Sequence, residues 1–273
     1  MGTRVSLRRY LAQAWQRRYF TIMESRARAF GSIKDTFLGK IWLVLNPFLD
    51  SVVYYVIFSV LLNFGRGMQN FVGYLVIGVI SFGLLTRSLG AYSAIEGNGK
   101  RLVQTFAFPK ISMILSFTLR NFIDFVPTYL AMLVFIAITP PHAYPTLTWL
   151  ITPVIYLAIV PFCIGLSAIV ATVVVIMPDI RFIINLFSRF WFYGSGVFWS
   201  IDMMRNKPLL QDMMRLNPGW ATLNLLRNAL LANTLPTWDE WAYLLAWSFG
   251  LGIIGILVMW ANDQKIAKAL VRP

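Results

Sequence analysis

The sequence predicts an all-α membrane protein. It expects six transmembrane helices with both termini cytoplasmic, an N-terminal amphipathic interfacial helix, and a short external re-entrant helical segment before the last span. Three observations carry that prediction. Of the 273 residues, 58% are hydrophobic and only 13% are charged, about half the charged share of soluble domains. Six apolar stretches each reach the ~20 residues that a helix needs to cross a bilayer. The 24 Lys and Arg, set against 11 Asp and Glu, are also unevenly shared among the loops. A mean hydropathy of +0.66 excludes a soluble globule, a disordered chain and a collagen. In a soluble protein a pI near 10.2 would point to nucleic acid. Here the basic residues are read against membrane lipids, and no nucleic-acid partner is expected.

The spans are predicted at about 41–63, 71–93, 112–139, 149–177, 180–199 and 241–260. Trp241 and Trp260 bracket the last, as expected of an aromatic belt at the two interfaces. Together the spans leave room for one membrane domain at 37–273 behind a cytoplasmic head at 1–36.

Orientation follows from Lys and Arg alone. Nine precede Ile41: Arg4, Arg8, Arg9, Arg17, Arg18, Arg26, Arg28, Lys34 and Lys40. Arg87, Lys100, Arg101, Lys110, Arg181, Lys265, Lys268 and Arg272 bring that side to seventeen. The other side holds five: Arg66, Arg205, Lys207, Arg215 and Arg227. Both termini are therefore expected in the cytoplasm. The first apolar run begins only at Ile41, so no cleavable signal is expected. Cys163, the single cysteine, lies within a span and excludes disulfide or cysteine–metal chemistry.

In the head, Leu7, Leu11, Trp15, Tyr19, Ile22 and Met23 recur at helical spacing, with arginines on the other faces. Such a helix suits the headgroup plane. Its arginines fit anionic lipid, or an anionic, phosphate-bearing substrate met at the cytoplasmic mouth by Arg8, Arg9, Arg17 and Arg18. Between the fifth and sixth spans, about 200–240, the chain starts polar and turns moderately apolar after the Asn217-Pro218-Gly219 turn signal. This stretch predicts a short helix that dips back into the membrane or caps the bundle.

Catalytic signatures fail. His142 is the only histidine and sits in a Pro-rich turn. Gly97-Asn98-Gly99-Lys100 lacks the spacing and the Ser or Thr of a phosphate loop. No metal site and no catalytic residue are expected. Four charges fall well inside spans, away from their ends, where charge marks function by default. Arg120 and Asp124 stand one helical turn apart and can pair on one face, which serves helix packing. Asp50 follows Pro47, and Arg189 sits mid-way along the fifth span. These are too few and scattered for a proton relay. The fifth span is crowded with rings, among them Phe190, Trp191, Tyr193, Phe198 and Trp199, broken by Gly194-Ser195-Gly196; Tyr54 and Tyr55 add a group on the first span. Lipid packing accounts for rings here, and so does a path lined with flat faces on which sugar C–H faces pack.

The run from Asp35 to Pro47, with Leu38, Gly39, Trp42 and Pro47 in register, resembles the start of the first membrane helix of type-2 ABC exporter permeases. Those are the membrane subunits for polysaccharide, O-antigen, capsule and teichoic acid export. Further likenesses come in order along the chain: Phe106-Ala107-Phe108-Pro109 before the third span, Asp179-Ile180 opening the fifth, Gly194 to Trp199 closing it, and Leu216-Asn217-Pro218 with Arg227 outside. Two departures stand out. Pro178 replaces the family's Arg before Asp, and Ser195-Gly196 replaces its Ser/Thr-Pro.

The resemblance implies a permease homodimer carrying two copies of a separate ABC ATPase. ATP and Mg would be bound on that partner and no cofactor on this chain. It also implies a coupling loop at about 96–110, with Glu96, Lys100, Arg101, Phe106, Phe108 and Pro109 docking in the ATPase, and a path for a lipid-linked glycan. A drug or small-lipid exporter of the same fold is the nearest alternative. A membrane-embedded polyprenyl-lipid enzyme is another, opposed by the lone loop histidine. A secondary transporter would call for an internal inverted repeat, and none is evident.

Overall fold

A computed structural model describes residues 6–31, 39–61, 70–97, 109–204 and 207–271. Its helices are α1 (Leu7–Gln16), α2 (Arg18–Gly31), α3 (Gly39–Tyr55, continued by a π-helical stretch Val56–Leu61), α4 (Phe71–Arg87), α5 (Tyr92–Glu96) and α6 (Ile111–Ile138). They continue with α7 (Thr152–Ala158), α8 (Val160–Ile176), α9 (Ile180–Gly194), α10 (Pro208–Arg215), α11 (Pro218–Leu230) and α12 (Trp238–Val271). Among the described residues there is no strand.

Five stretches are long and apolar enough to cross a membrane: Val44–Leu61, Phe71–Gly90, Ile111–Ile138, Leu147–Ile176 and Trp238–Leu270. The fifth predicted span, 180–199, corresponds to a shorter helix than expected. Helix α9 stops at Gly194 after 15 residues, about 22 Å at 1.5 Å per residue, against a hydrocarbon core of ~30 Å. The reason is local: Gly196 adopts φ +65°, the left-handed region that glycine enters without a Cβ penalty. The chain there turns back on itself. At the far end α12 overshoots its prediction, running 34 residues without a break.

Helix α4 forms the centre. Its residues from Leu75 to Phe82 are almost all buried, and it packs against α3, α6 and α11. A second packed cluster joins α1 to α6, α8 and the C-terminal part of α12 through Tyr10, Ala14, Ile111, Ala168, Ala171, Met259, Ile266 and Leu270. The closest helix pair is α8 with α12. Gly165 lies against the backbone of Leu251 and Gly252, and Gly255 against the backbone of Gly165. Helices in lipid gain little from hydrophobic exclusion, so close backbone approach at small residues drives such packing.

Pro161 interrupts the helical ladder between α7 and α8. Ser248 of α12 repairs the gap: its Oγ accepts from the Phe162 N–H (3.1 Å) and donates to the Ala158 carbonyl (2.5 Å). Unsatisfied backbone groups are costly where water is absent, which fixes the register of α12 against the break.

The N-terminal head is helical as predicted but divides at Arg17 into α1 and α2. The face that it packs on the bundle is not the apolar stripe. Tyr10, Ala14, Thr21 and Ser25 are the buried residues, while Leu11, Trp15, Tyr19, Ile22 and Met23 remain exposed. Small and hydroxyl side chains let α2 come close to α6, where the Ser116 hydroxyl donates to the Thr21 carbonyl (3.3 Å). The larger apolar groups stay on the adjoining face.

Candidate functional site

The break after α9 is where distant parts of the sequence converge. Asn217 opens α11, and its side chain serves four partners. Its Oδ1 accepts from Trp191 Nε1 (2.9 Å) and from the Gly219 N–H (2.9 Å). Its Nδ2 donates to Ser195 Oγ (2.9 Å) and to the Gly194 carbonyl (3.3 Å). The Ser195 hydroxyl in turn donates to the Trp191 carbonyl (2.6 Å). One amide thereby caps a helix start and closes a helix end.

Arg227 holds the turn from the other side. It is buried on α11, and its guanidinium donates to the carbonyls of Gly196 (2.9 Å), Val197 (3.1 Å) and Tyr74 (3.1 and 3.2 Å). The Tyr74 hydroxyl lies 3.1 and 2.9 Å from the carbonyls of Gly196 and Trp199, its single proton serving either. Carbonyl oxygens in a turn have no helical partner of their own. A fork of N–H donors is suited to collect them.

The clamp seats the predicted aromatic residues, which divide into two sets. Tyr54, Trp191 and Phe198 are packed inward. Phe198 is 1% exposed, stacks on Phe58 at 4.2 Å and meets Tyr54 at 4.8 Å. Trp191 sets its ring edge-on to Phe82 at 4.9 Å. Tyr55, Phe190 and Tyr193 face outward, Phe190 with 69% of its surface exposed. Trp199 is half-buried and donates from Nε1 to the Tyr193 carbonyl (3.2 Å). Tyr74 is the member that the sequence did not single out. It is one aromatic among many in an apolar span, and its partners lie more than a hundred residues away.

At the opposite end, the charged residues form cross-links. Glu96 pairs with Arg181 at 3.0 Å, and the Arg181 guanidinium lies over the Tyr92 ring at 5.4 Å. This arginine stands three residues after Pro178, at the start of α9. Lys110 meets Asp263 at 2.7 Å, tying the start of α6 to α12. The Tyr10 hydroxyl accepts from the Ile111 N–H (3.2 Å), and burial together with the neighbouring Asp263 carboxylate pushes its phenol above the usual range. Pro109 is buried beside them; Lys100, Arg101, Phe106 and Phe108 lie outside the described residues.

Of the head arginines, Arg8, Arg9 and Arg18 are exposed and Arg17 is half-buried. Arg18 lies over the rings of Trp15 (5.3 Å) and Tyr19 (4.7 Å). Beside it an apolar cleft of about 830 Å³ opens between the head and α6, lined by Leu11, Trp15, Ile22, Leu115 and Phe122 among others. Arg120 and Asp124 do pair, at 3.3 Å along α6. Asp50 and Arg189 are exposed, on α3 and α9 respectively. Among the described residues, no group of three or more His, Cys, Asp or Glu stands close enough to hold a metal.

Residues 5–231 match the family described as ABC-2 type transporter. The chain is 25% identical over 244 residues to an O-antigen export system permease protein RfbA of Myxococcus xanthus, covering 88% of this chain and 87% of the relative. A protein of the same description from Klebsiella pneumoniae is 24% identical over 242 residues, covering 87% of this chain and 89% of its own. With the family matched over most of its length and with several membrane-crossing helices, this multi-pass membrane protein belongs to the ABC-2 type transporter family.

Proposed function

We propose that the chain is the membrane permease of an ATP-driven ABC exporter that moves a lipid-linked polysaccharide, of O-antigen, capsule, teichoic acid or galactan type, across the bacterial inner membrane. The observation that carries this reading is similarity along nearly the whole chain to permeases named for O-antigen export. The permease acts as a homodimer with two copies of an ABC ATPase, which binds the ATP and Mg and performs the hydrolysis. The outward faces of α3 and α9 support the dimer. Trp42, Val52, Val53, Phe182, Ile183 and Phe190 are exposed there, and a second copy or lipid would cover them. Asp50 and Arg189 lie on the same two helices, so they meet the partner or the path.

In this reading Tyr54, Tyr55, Phe190, Trp191, Tyr193, Phe198 and Trp199 line or support the path. Rings hold sugar faces without fixing the order of the sugars. The arginines at 8, 9, 17 and 18 receive the lipid diphosphate at the cytoplasmic side. Glu96, with the loop after it and Pro109, docks in the ATPase cleft; the Glu96–Arg181 pair would then connect the docked segment to α9.

Deleting the chain tests the proposal. Surface glycan should disappear while its lipid-linked form accumulates in the cytoplasmic leaflet, and the purified permease should bring an ABC ATPase with it. A protein that is stable and active without any ATPase would overturn it. Neutral substitution of Arg8, Arg9, Arg17 and Arg18 with unchanged export would remove those residues from the entrance. The apolar cleft beside Arg18 favours one second reading, export of a small lipid; normal surface glycan in the deletion strain, with an altered lipid profile, would select it.

A further inference from the structure

We propose that the pocket between α11 and the start of α12 is a saccharide subsite, taking one neutral or amino sugar unit of the exported chain. The inference rests on the glycan-export reading above and adds a site to it. The pocket measures about 540 Å³, within the ~300–1,000 Å³ of small-molecule sites. Trp220 and Tyr243 contribute rings; Arg215, Asn224, Asp239 and Glu240 contribute donors and acceptors. A sugar ring presents an apolar C–H face and a rim of hydroxyls, each both donor and acceptor. The lining offers both kinds of surface in one concavity.

Three details sharpen the assignment. The Tyr243 hydroxyl is buried and, among the described residues, has no hydrogen-bond partner, an unfavourable state that a ligand hydroxyl would relieve. Glu240 is held in place: its Oε2 accepts from the Thr237 N–H (2.9 Å) and its Oε1 from Asn224 Nδ2 (3.4 Å). A fixed carboxylate and amide recognise hydroxyls with less ordering cost than free ones. The charges also choose the ligand. Two carboxylates face one arginine, so an anionic sugar or a phosphate is repelled, whereas a hydroxyl or an ammonium is not. Ile201 lines the same pocket, two residues beyond Trp199, which places the subsite next to the aromatic cluster.

The test uses the intact permease–ATPase complex in cells that export their own glycan. Trp220 is replaced by the photocrosslinker p-benzoylphenylalanine, and Leu209, exposed on α10, is replaced in a control. Ultraviolet light should join glycan to position 220 at least fivefold more than to position 209. Adding Tyr243→Phe should lower the adduct at least threefold. That variant removes a hydroxyl with no protein partner, so a purely structural role predicts unchanged or higher melting and an unchanged adduct. Tyr243→Phe alone, in the otherwise native complex, should slow export at least threefold with melting unchanged. Equal labelling at 220 and 209 while glycan still reaches the surface, or full-rate export by Tyr243→Phe, would overturn the subsite and leave the exporter standing. Surface glycan in cells lacking the permease would overturn both.

Discussion

The Arg227 guanidinium sits 3.4 Å from the centre of the Tyr74 ring while donating to the carbonyl of that same residue. One side chain thus takes both the π-face and the backbone of its neighbour, and its remaining N–H groups reach Gly196 and Val197. Arg227 is a positioning residue. It holds the turn that seats Phe198 and Trp199 and has no assigned contact with substrate. The space is tight: a Cβ at Gly78 would come within 2.5 Å of Arg227 Nη2. The turn after α9 is therefore held by α4 and α11 together.

Arg227→Gln should destabilise the detergent-solubilised protein by about 2–4 kcal/mol, since buried carbonyls lose their donors. Arg227→Lys should recover only part of that, because an ammonium cannot span the same carbonyls as a fork. Thermal melting of the purified variants measures both. Melting equal to wild type in Arg227→Gln would show that the clamp is dispensable.

Tyr74→Phe keeps the ring under Arg227 and removes only the hydroxyl shared by Gly196 and Trp199. The expected loss is about 1 kcal/mol, the net worth of one hydrogen bond. A loss as large as that of Arg227→Gln would place the centre of the clamp on the tyrosine instead.

Gly165→Ala should cost about 1–3 kcal/mol, because the new methyl meets the Leu251 backbone and no rotamer can avoid it. Gly250→Ala on α12, where a Cβ meets nothing within 4 Å, should be neutral. Comparing the two melting curves separates close packing from a general intolerance of α12 to substitution.

Arg181→Glu should leave stability within about 1 kcal/mol, since a partly exposed pair contributes little. In the proposed exporter it should nevertheless weaken the response of export to ATP. The exchange Arg181→Glu with Glu96→Arg should restore it. ATPase rate and glycan export measured side by side decide the matter; full coupling in the single variant would rule out the pair as a link.

Tyr193→Ala and Trp191→Ala should both slow export while the ATPase still binds. Their stabilities should differ. Tyr193 is 49% exposed, so its loss should leave melting unchanged, whereas Trp191 anchors Asn217 and packs on Phe82. Normal export from both variants would remove the ring-lined path from consideration.

Much of this molecule was legible in its sequence. Membrane character, the spans near 71–93, 112–139 and 149–177, the helical head and the Arg120–Asp124 pair rest on hydropathy, periodicity or spacing within a few residues. The ordered likenesses around Trp42, Asp179, Asn217 and Arg227 also pointed to the family that the chain matches. Less legible was what holds the break after α9. The Gly194-Ser195-Gly196 step marks where the helix can break, but nothing local reveals that Arg227, on another helix, collects the carbonyls after Gly194. The face on which the head packs was hidden too. Hydropathy favours Leu11 and Trp15, but close helix approach selects Ala14, Thr21 and Ser25.

By itself, then, the sequence determined the solvent, the helical class and the imbalance of basic residues, because apolar length and charge add up along the chain without regard to partners. Only the tertiary structure decided which rings are packed and which are open, what holds the chain after α9, and that Tyr74, Asn217 and Arg227 act as one unit. Those depend on groups brought within about 3 Å from positions 22 to 153 residues apart. No local pattern encodes a hydrogen bond whose two ends never share a window of sequence.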